Sequence, residues 1–381
     1  MVELPLDQHH VIAGPPGSGK TQVLLHRARY IARKYHVHPD RYRVFVFTSV
    51  LSKFIKQAIT LLEIPESTVQ TFDHWCGDYW SSQHMGTRPQ TAKGDQDYPE
   101  TRRKILAHLR NRPLKEVRVL EFTVVDEGQD LDRTSYEILA LIAAHVTVVA
   151  DSRQQLYEGC SDLAQICGTL KIQGQSMDFL SGRRNSPSIG KLASYFGQKF
   201  EASNFEVDQE TPTYRIANNW DDEIEAIAAV LRERRLMNHK CGVLVPTQRD
   251  AFSIRKKLEN MGVEIEVALP RTAGTVNFDS SVPKISTYHS AKGLTFDTVL
   301  LPKLVRKNWD NFTDQFRKNM LLVGITRATQ WVYLSSVQGY EMEETATLLQ
   351  ALKNGHLFMK DSTIKPPVTL PFDDDDKIDF G

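Results

Sequence analysis

One run of eight residues, Gly14-Pro15-Pro16-Gly17-Ser18-Gly19-Lys20-Thr21, confines this chain to a narrow set of folds. It fits the pattern GxxxxGK[ST], and its flanks suit it. His10-Val11-Ile12-Ala13 reads as a buried strand, and residues 21–32 carry helical periodicity. Strand, glycine-rich turn and helix in that order make a phosphate cradle. The glycines let backbone N–H groups turn inward on the phosphates, and the helix N-terminus adds a favourable dipole. In such a cradle the whole run from Gly14 to Thr21 binds the phosphates of a nucleoside triphosphate, with Lys20 reaching the β- and γ-phosphates and Thr21 ligating Mg²⁺.

The remaining pattern alternates short β-branched runs with helical periodicity, which predicts α/β layers built on parallel sheets. Val44-Phe45-Val46-Phe47, Phe122-Thr123-Val124-Val125 and Val146-Thr147-Val148-Val149-Ala150 read as further strands, each ending at a polar cluster where an open parallel sheet binds ligand. A second series opens near Met177-Asp178-Phe179-Leu180. It continues through helices over 221–235, 250–261 and 316–323 and strands over 241–245, 283–287, 298–301 and 331–334. The expectation is two tandem layers, residues 1–173 and 174–360. Residues 361–381, with two prolines and then Asp373 to Asp376, are expected to be a disordered acidic tail.

Composition narrows the function classes. Lys plus Arg and Asp plus Glu are each 47, so no overall basic charge points to a polyanion, although a local groove can still be basic. Four scattered cysteines without a CxxC pair give no zinc or iron–sulfur reading and fit a reducing cytoplasm. No signal peptide is read at the N-terminus, and no apolar run approaches the ~20 residues that span a bilayer, so no membrane partner is expected.

Asp126-Glu127 follows a strand. A carboxylate there can hold the Mg²⁺ shell, so Thr21 and Asp126 are the candidate metal ligands, and its neighbour can polarise the attacking water. The wider run Val124-Val125-Asp126-Glu127-Gly128-Gln129-Asp130 resembles the DExQD signature of superfamily 1 helicases of the UvrD/Rep/PcrA type. Thr287-Tyr288-His289-Ser290-Ala291-Lys292-Gly293-Leu294-Thr295-Phe296-Asp297 is similar to their motif V, and Val323-Gly324-Ile325-Thr326-Arg327-Ala328 to motif VI. The three stand in the family's order, and the resemblance covers roughly residues 10 to 335. It implies two RecA-like P-loop domains with the nucleotide bound between them. The catalytic set implied is Lys20, Asp126, Glu127, the γ-phosphate-sensing Gln154, the motif IV arginine Arg184 and the transition-state arginine Arg327. Gly293 joins the ATP-binding residues. Phe47 and Thr48 (motif Ia), Thr71 and Phe72 (motif Ib), Tyr157, Thr287 and His289 are the implied contacts to single-stranded DNA, with RNA as the alternative.

The chain also departs from that pattern. Gln8 stands close to the P-loop, where the family places an adenine-reading glutamine further upstream. Arg183 replaces an aromatic beside Arg184, and Thr295 replaces a glutamate of motif V. Tyr157 is kept, but Gly159 and Cys160 stand where Trp and Arg are expected, Val50 replaces a lysine and Asp73 a histidine. A base-stacking platform contributes about 1–3 kcal/mol per base, so a missing one shortens the track. The intervals 76–120 and 187–282 are too short for the large inserted subdomains of full-length relatives. Arginines and lysines between Arg102 and Arg118 offer a phosphate-backbone contact or a solvated helix face. The sequence therefore predicts a trimmed ATPase motor on single-stranded nucleic acid. Its rival is a helicase-like switch that signals to a partner such as a nuclease in repair or defence.

Overall fold

The computed structural model describes residues 1–15, 17–151, 161–172, 177–179, 186–197, 210–310 and 312–360. Pro16, Gln154, Tyr157, Arg184 and the acidic tail lie outside these residues.

Two sheets, parallel in every pairing, organise the chain. The first contains β1 (His10–Ala13), β2 (Tyr42–Val46), β3 (Val69–Thr71), β4 (Leu120–Val125), β5 (Ala143–Ala150) and β6 (Met177–Phe179), in the order β3-β2-β4-β5-β1-β6. The second contains β7 (Thr213–Ala217), β8 (Cys241–Val245), β9 (Glu266–Val267), β10 (Lys284–Thr287), β11 (Phe296–Leu301), β12 (Ala328–Val337) and β13 (Phe358–Met359), in the order β13-β7-β12-β11-β8-β10-β9. Parallel pairing demands a crossover between strands, and the helices supply it, covering the sheet faces. This is the α/β class read from the sequence: two parallel-sheet layers, as expected of tandem RecA-like domains.

One expectation needs correction. The strand expected to open the second series, Met177–Phe179, pairs with β1 and forms the edge of the first sheet. Sheet membership changes between Phe179 and Thr213, later than the boundary near residue 174. A three-residue strand carries too little pattern to declare its partner, and register on β1 assigns it.

Alternation along the strands sorts the core into separate faces. Val11, Phe45, Val125, Val146 and Val148 pack under the helices Phe72–Ser82, Tyr98–Arg110 and Arg133–Ile142. Val243, Val245, Ile285, Leu300 and Tyr333 pack against the helices Trp220–Leu236 and Gln248–Asn260. The opposite faces contribute to one apolar cluster shared by both units, which includes Ile12, Val44 and Val124 from the first and Leu244, Val299 and Val332 from the second.

In the first sheet β4, β5 and β1 are neighbours with aligned registers, Val125 facing Val148 and Ala13 facing Ala150. Their carboxyl ends therefore deliver the P-loop, Asp126-Glu127 and Asp151 side by side, at the edge where open α/β sheets bind ligand.

Candidate nucleotide site and nucleic-acid face

The helix Lys20–Lys34 begins unlike most of its neighbours. Helices after Thr48, Thr71, Asp132, Asn219 and Thr247 start with a short polar side chain that accepts a first-turn N–H. Here the cap is Gly19, at φ 84°, with no side chain to do so. The open N–H groups and the helix dipole are thus left to an anion. Gly17 is also left-handed, at φ 74°. Ser18 Oγ is buried without a hydrogen-bond partner. Lys20 turns its ammonium onto the loop itself, donating to the carbonyls of Gly14 (2.8 Å) and Pro15 (2.9 Å). Burial lowers its pKa, against the pull of Asp151, Glu127 and Asp126. A buried cation, an orphaned hydroxyl and an uncapped helix fit a triphosphate.

The acids divide the work. Thr21 Oγ1 donates to Asp126 Oδ2 at 2.8 Å, joining the two expected metal ligands. Burial and the adjacent Glu127 charge raise the Asp126 carboxyl, against Thr21 and Lys20. A carboxylate so placed gains from a cation, and one or two protein oxygens with phosphate suffice for Mg²⁺. Burial works to raise Glu127 as well, but the charges of Lys292, Lys20 and Arg327 outweigh it and hold this carboxyl below its ordinary value. Glu127 sits in the left-handed region at φ 51°, a conformation costing about 1–2 kcal/mol. Two bonds fix it there: its N–H donates to Asp126 Oδ1 (3.0 Å), and Gln129 Nε2 donates to its Oε2 (2.6 Å). Gln129 Oε1 in turn accepts from the Asp151 N–H at 2.8 Å, tying the turn after β4 to the end of β5. Gly128 permits that turn. A Cβ there would meet Val148 Cγ1 at 2.2 Å and the Tyr136 hydroxyl at 2.6 Å.

The second unit closes the site with two cations. Lys292, wholly buried, pairs with Asp130 and stands 3.8 Å from Glu127 Oε2; its ammonium also lies 5.5 Å from the centre of the Phe47 ring. Arg327 is anchored at the end of helix Asp314–Thr326, its guanidinium donating to the carbonyls of Val323 (3.1 Å) and Leu294 (3.4 Å). Burial lowers its pKa, and the charges of Glu127, Asp151 and Asp126 oppose that. The structure thus brings together Lys20, Thr21, Asp126, Glu127 and Arg327. It adds Lys292, Gln129 and Asp130, which stand inside the motifs but whose roles depend on packing. A buried lysine within motif V was the available signal, but its carboxylate partners lie 162 positions away and more. Gly293 is placed at the junction between the units, where a Cβ would lie 2.6 Å from Leu51 Cδ2.

The implied nucleic-acid contacts divide. Phe47, Thr48 and His289 are half-buried, and the His289 ring lies 5.9 Å from that of Phe316. Thr48 and Thr71 also cap helices, accepting from Leu51 N–H and His74 N–H. Two of the implied contacts need correction. Phe72 is 3% exposed, stacked on Trp75 and edge-on to Phe45, so its ring is core and offers no face to a base. Thr287 is buried, with its hydroxyl hydrogen-bonded to Ser290. In the helix Tyr98–Arg110 and the turn after it, Arg102 pairs with Asp73 and Asp132, Arg103 with Glu100, Arg110 with Glu137 and Arg112 with Glu116. These four arginines are each engaged by a carboxylate of the same unit.

Residues 284–335 match the family model of the UvrD-like helicase C-terminal domain, and residues 4–160 match that of an AAA domain. A protein of Mycoplasma pneumoniae described as a probable DNA helicase is 24% identical over 269 residues, covering 62% of this chain and 48% of the relative. The aligned region thus spans about half the length of that relative. The solved C-terminal domain of a possible DNA helicase from Lactobacillus plantarum WCFS1 matches 47% of this chain and 98% of its own, at 15% identity and a TM-score of 0.38. No helix among the described residues is long and apolar enough to cross a membrane.

Proposed function

We propose that the chain is a UvrD-like superfamily 1 helicase-type ATPase, which hydrolyses ATP and couples the hydrolysis to movement along, or a changed grip on, single-stranded DNA. The observation that carries this reading is the convergence of Lys20, Thr21, Asp126 and Glu127 with Lys292 and Arg327, drawn from two separate sheets.

Each residue has a role set by its surroundings. The uncapped helix and Lys20 bind the phosphates. Mg²⁺, when bound, would be held by Thr21 and Asp126 and would offset phosphate charge. Glu127, kept ionised by its cations and oriented by Gln129, polarises the attacking water. Arg327 stabilises charge that develops on the transferred phosphoryl group. Because Arg327 and Lys292 come from the second unit, the site is complete only when the units meet. This makes hydrolysis sensitive to their relative movement. Phe47, Thr48 and His289, beside that junction, are the proposed contacts to the nucleic acid.

A second reading is favoured by the thin nucleic-acid face, where Phe72 and Thr287 are buried and the arginines from Arg102 to Arg112 are paired. In it, closure signals to a protein partner such as a nuclease, with little unwinding. ATP hydrolysis measured with no polymer, single-stranded DNA, duplex DNA and RNA separates the two. Stimulation by single-stranded DNA supports the motor. Turnover indifferent to every polymer, yet abolished by Lys20→Ala, supports the switch. Turnover that survives Lys20→Ala belongs to a contaminant and removes the basis of both.

A further inference from the structure

Away from the nucleotide, the two units touch through an apolar contact that the proposed chemistry does not use. It is made by residues 268–283, the segment between β9 and β10. This segment falls in the interval between motifs IV and V, where relatives carry an inserted subdomain. Here it is a short loop tied to its own unit at several points. Thr272 Oγ1 bonds the carbonyls of Val267 and Leu269 and accepts from Leu269 N–H (3.0 Å). Glu266 Oε2 accepts from Asn277 N–H at 3.1 Å, Lys284 Nζ donates to Ser280 Oγ at 2.9 Å, and Lys240 Nζ donates to the carbonyl of Phe278 at 3.4 Å. Ala268 and Ala273 are buried.

The pinned loop presents Phe278 to the first unit. There its ring meets Phe54 edge-on, with centroids 5.5 Å apart and an interplanar angle of 87°. Phe54 ends the helix Ser49–Phe54, and Thr48 caps the start of that helix immediately after Phe47. Leu51, in the middle of the same helix, packs on Gly293 of the second unit. One two-turn helix therefore carries the proposed nucleic-acid turn at its beginning and both apolar contacts with the other unit along its length.

We propose that residues 268–283 form a clasp on the helix Ser49–Phe54, which helps hold the units together and links the Phe47–Thr48 turn to closure of the ATP site. The proposal rests on the reading that this site closes between the units. Its core is the Phe54–Phe278 pair. Such pairs are worth enough to shift a closing equilibrium about twofold to tenfold.

The test is a cycle of Phe54→Ala, Phe278→Ala and the double variant, read by amide hydrogen exchange over residues 49–54 without nucleotide and by KM for ATP. Each single variant is expected to speed exchange and raise KM by about twofold to tenfold, and the double variant to add nothing further. Unchanged exchange in Phe278→Ala, or fully additive effects, would overturn the clasp. Faster exchange with unchanged KM would reduce the contact to a structural brace and overturn the coupling. Circular dichroism checks that each variant is folded. Should the wild-type protein show no ATP turnover, the functional reading fails on its own, and exchange still decides the clasp.

Discussion

Arg327 and Lys292 make the sharpest claims because each brings a buried charge across the junction. Arg327→Ala is expected to lower kcat by about 10³-fold or more while KM for ATP changes far less, since the group acts on charge that develops during transfer. Arg327→Lys should fail to restore it, because an ammonium cannot reproduce the anchored planar fork that bonds the carbonyls of Val323 and Leu294. Steady-state kinetics decide the matter, and a lysine variant with near-normal kcat would count against a transition-state role. For Lys292→Met the expectation concerns stability first. Asp130 loses its buried partner, at a cost of about 3–5 kcal/mol, and Asp130→Asn in the same chain should recover much of the loss. Urea unfolding of the two variants measures this. The sequence named Lys20, Asp126, Glu127 and Arg327 because motif spacing encodes them. It could not show that Lys292 reaches Asp130 and Glu127, nor that the Phe72 ring is turned into the core, since both depend on how distant elements pack.

At the scale of elements, long apolar runs announced themselves, and of the short edge strands only β6 did. β1, β2, β4, β5, β8, β10, β11 and β12 all overlap runs read from the sequence. β3, β9 and β13 have two or three residues each, and β7 (Thr-Tyr-Arg-Ile-Ala) mixes polar and apolar positions without a clean period. Their identity comes from a neighbouring strand, not from propensity. The sequence was equally silent about the tie between β5 and the helix Lys20–Lys34. Arg27 of that helix, wholly buried, donates to Thr147 Oγ1 (2.8 Å) and to the carbonyls of Val2 and Leu4, and lies 3.0 Å from His145 Nε2. Burial, then the Arg27 charge and the neighbouring histidines, push the His145 pKa down to about 3. Its ordinary value is 6.5, so an unfolded chain takes up a proton in this window that the folded one refuses. The stability held by neutral His145 is therefore complete above about pH 6.5 and declines as pH falls toward the folded value, by up to about 1.4 kcal/mol per pH unit. His145→Gln should flatten the acid limb of stability against pH by close to one proton. Guanidinium unfolding from pH 7.5 to 4.5 checks this, and parallel curves for the two proteins would show that His145 is protonated in the fold.

The whole molecule is held by two unlike junctions, a charged one at the nucleotide site and an apolar one around the helix Ser49–Phe54. The apolar cluster there is continuous, running from Ile12, Val44 and Leu51 of the first unit to Leu244, Ala291 and Val299 of the second. Separating the units would expose part of it and break the buried Lys292–Asp130 pair, so neither unit should unfold alone. One calorimetric transition is expected for the chain, with equal calorimetric and van't Hoff enthalpies. A non-hydrolysable ATP analogue with Mg²⁺, at about a hundredfold excess over its Kd, should stabilise that single transition by about 2.7 kcal/mol, and Lys20→Ala should abolish the shift. Two transitions, of which only one responds to the analogue, would mean that the units are energetically independent. The ligand would then stabilise the P-loop unit alone, and the cations of the second unit would meet the phosphates only in passing. One transition that moves as a whole is what the shared core and the buried cross-unit charges require.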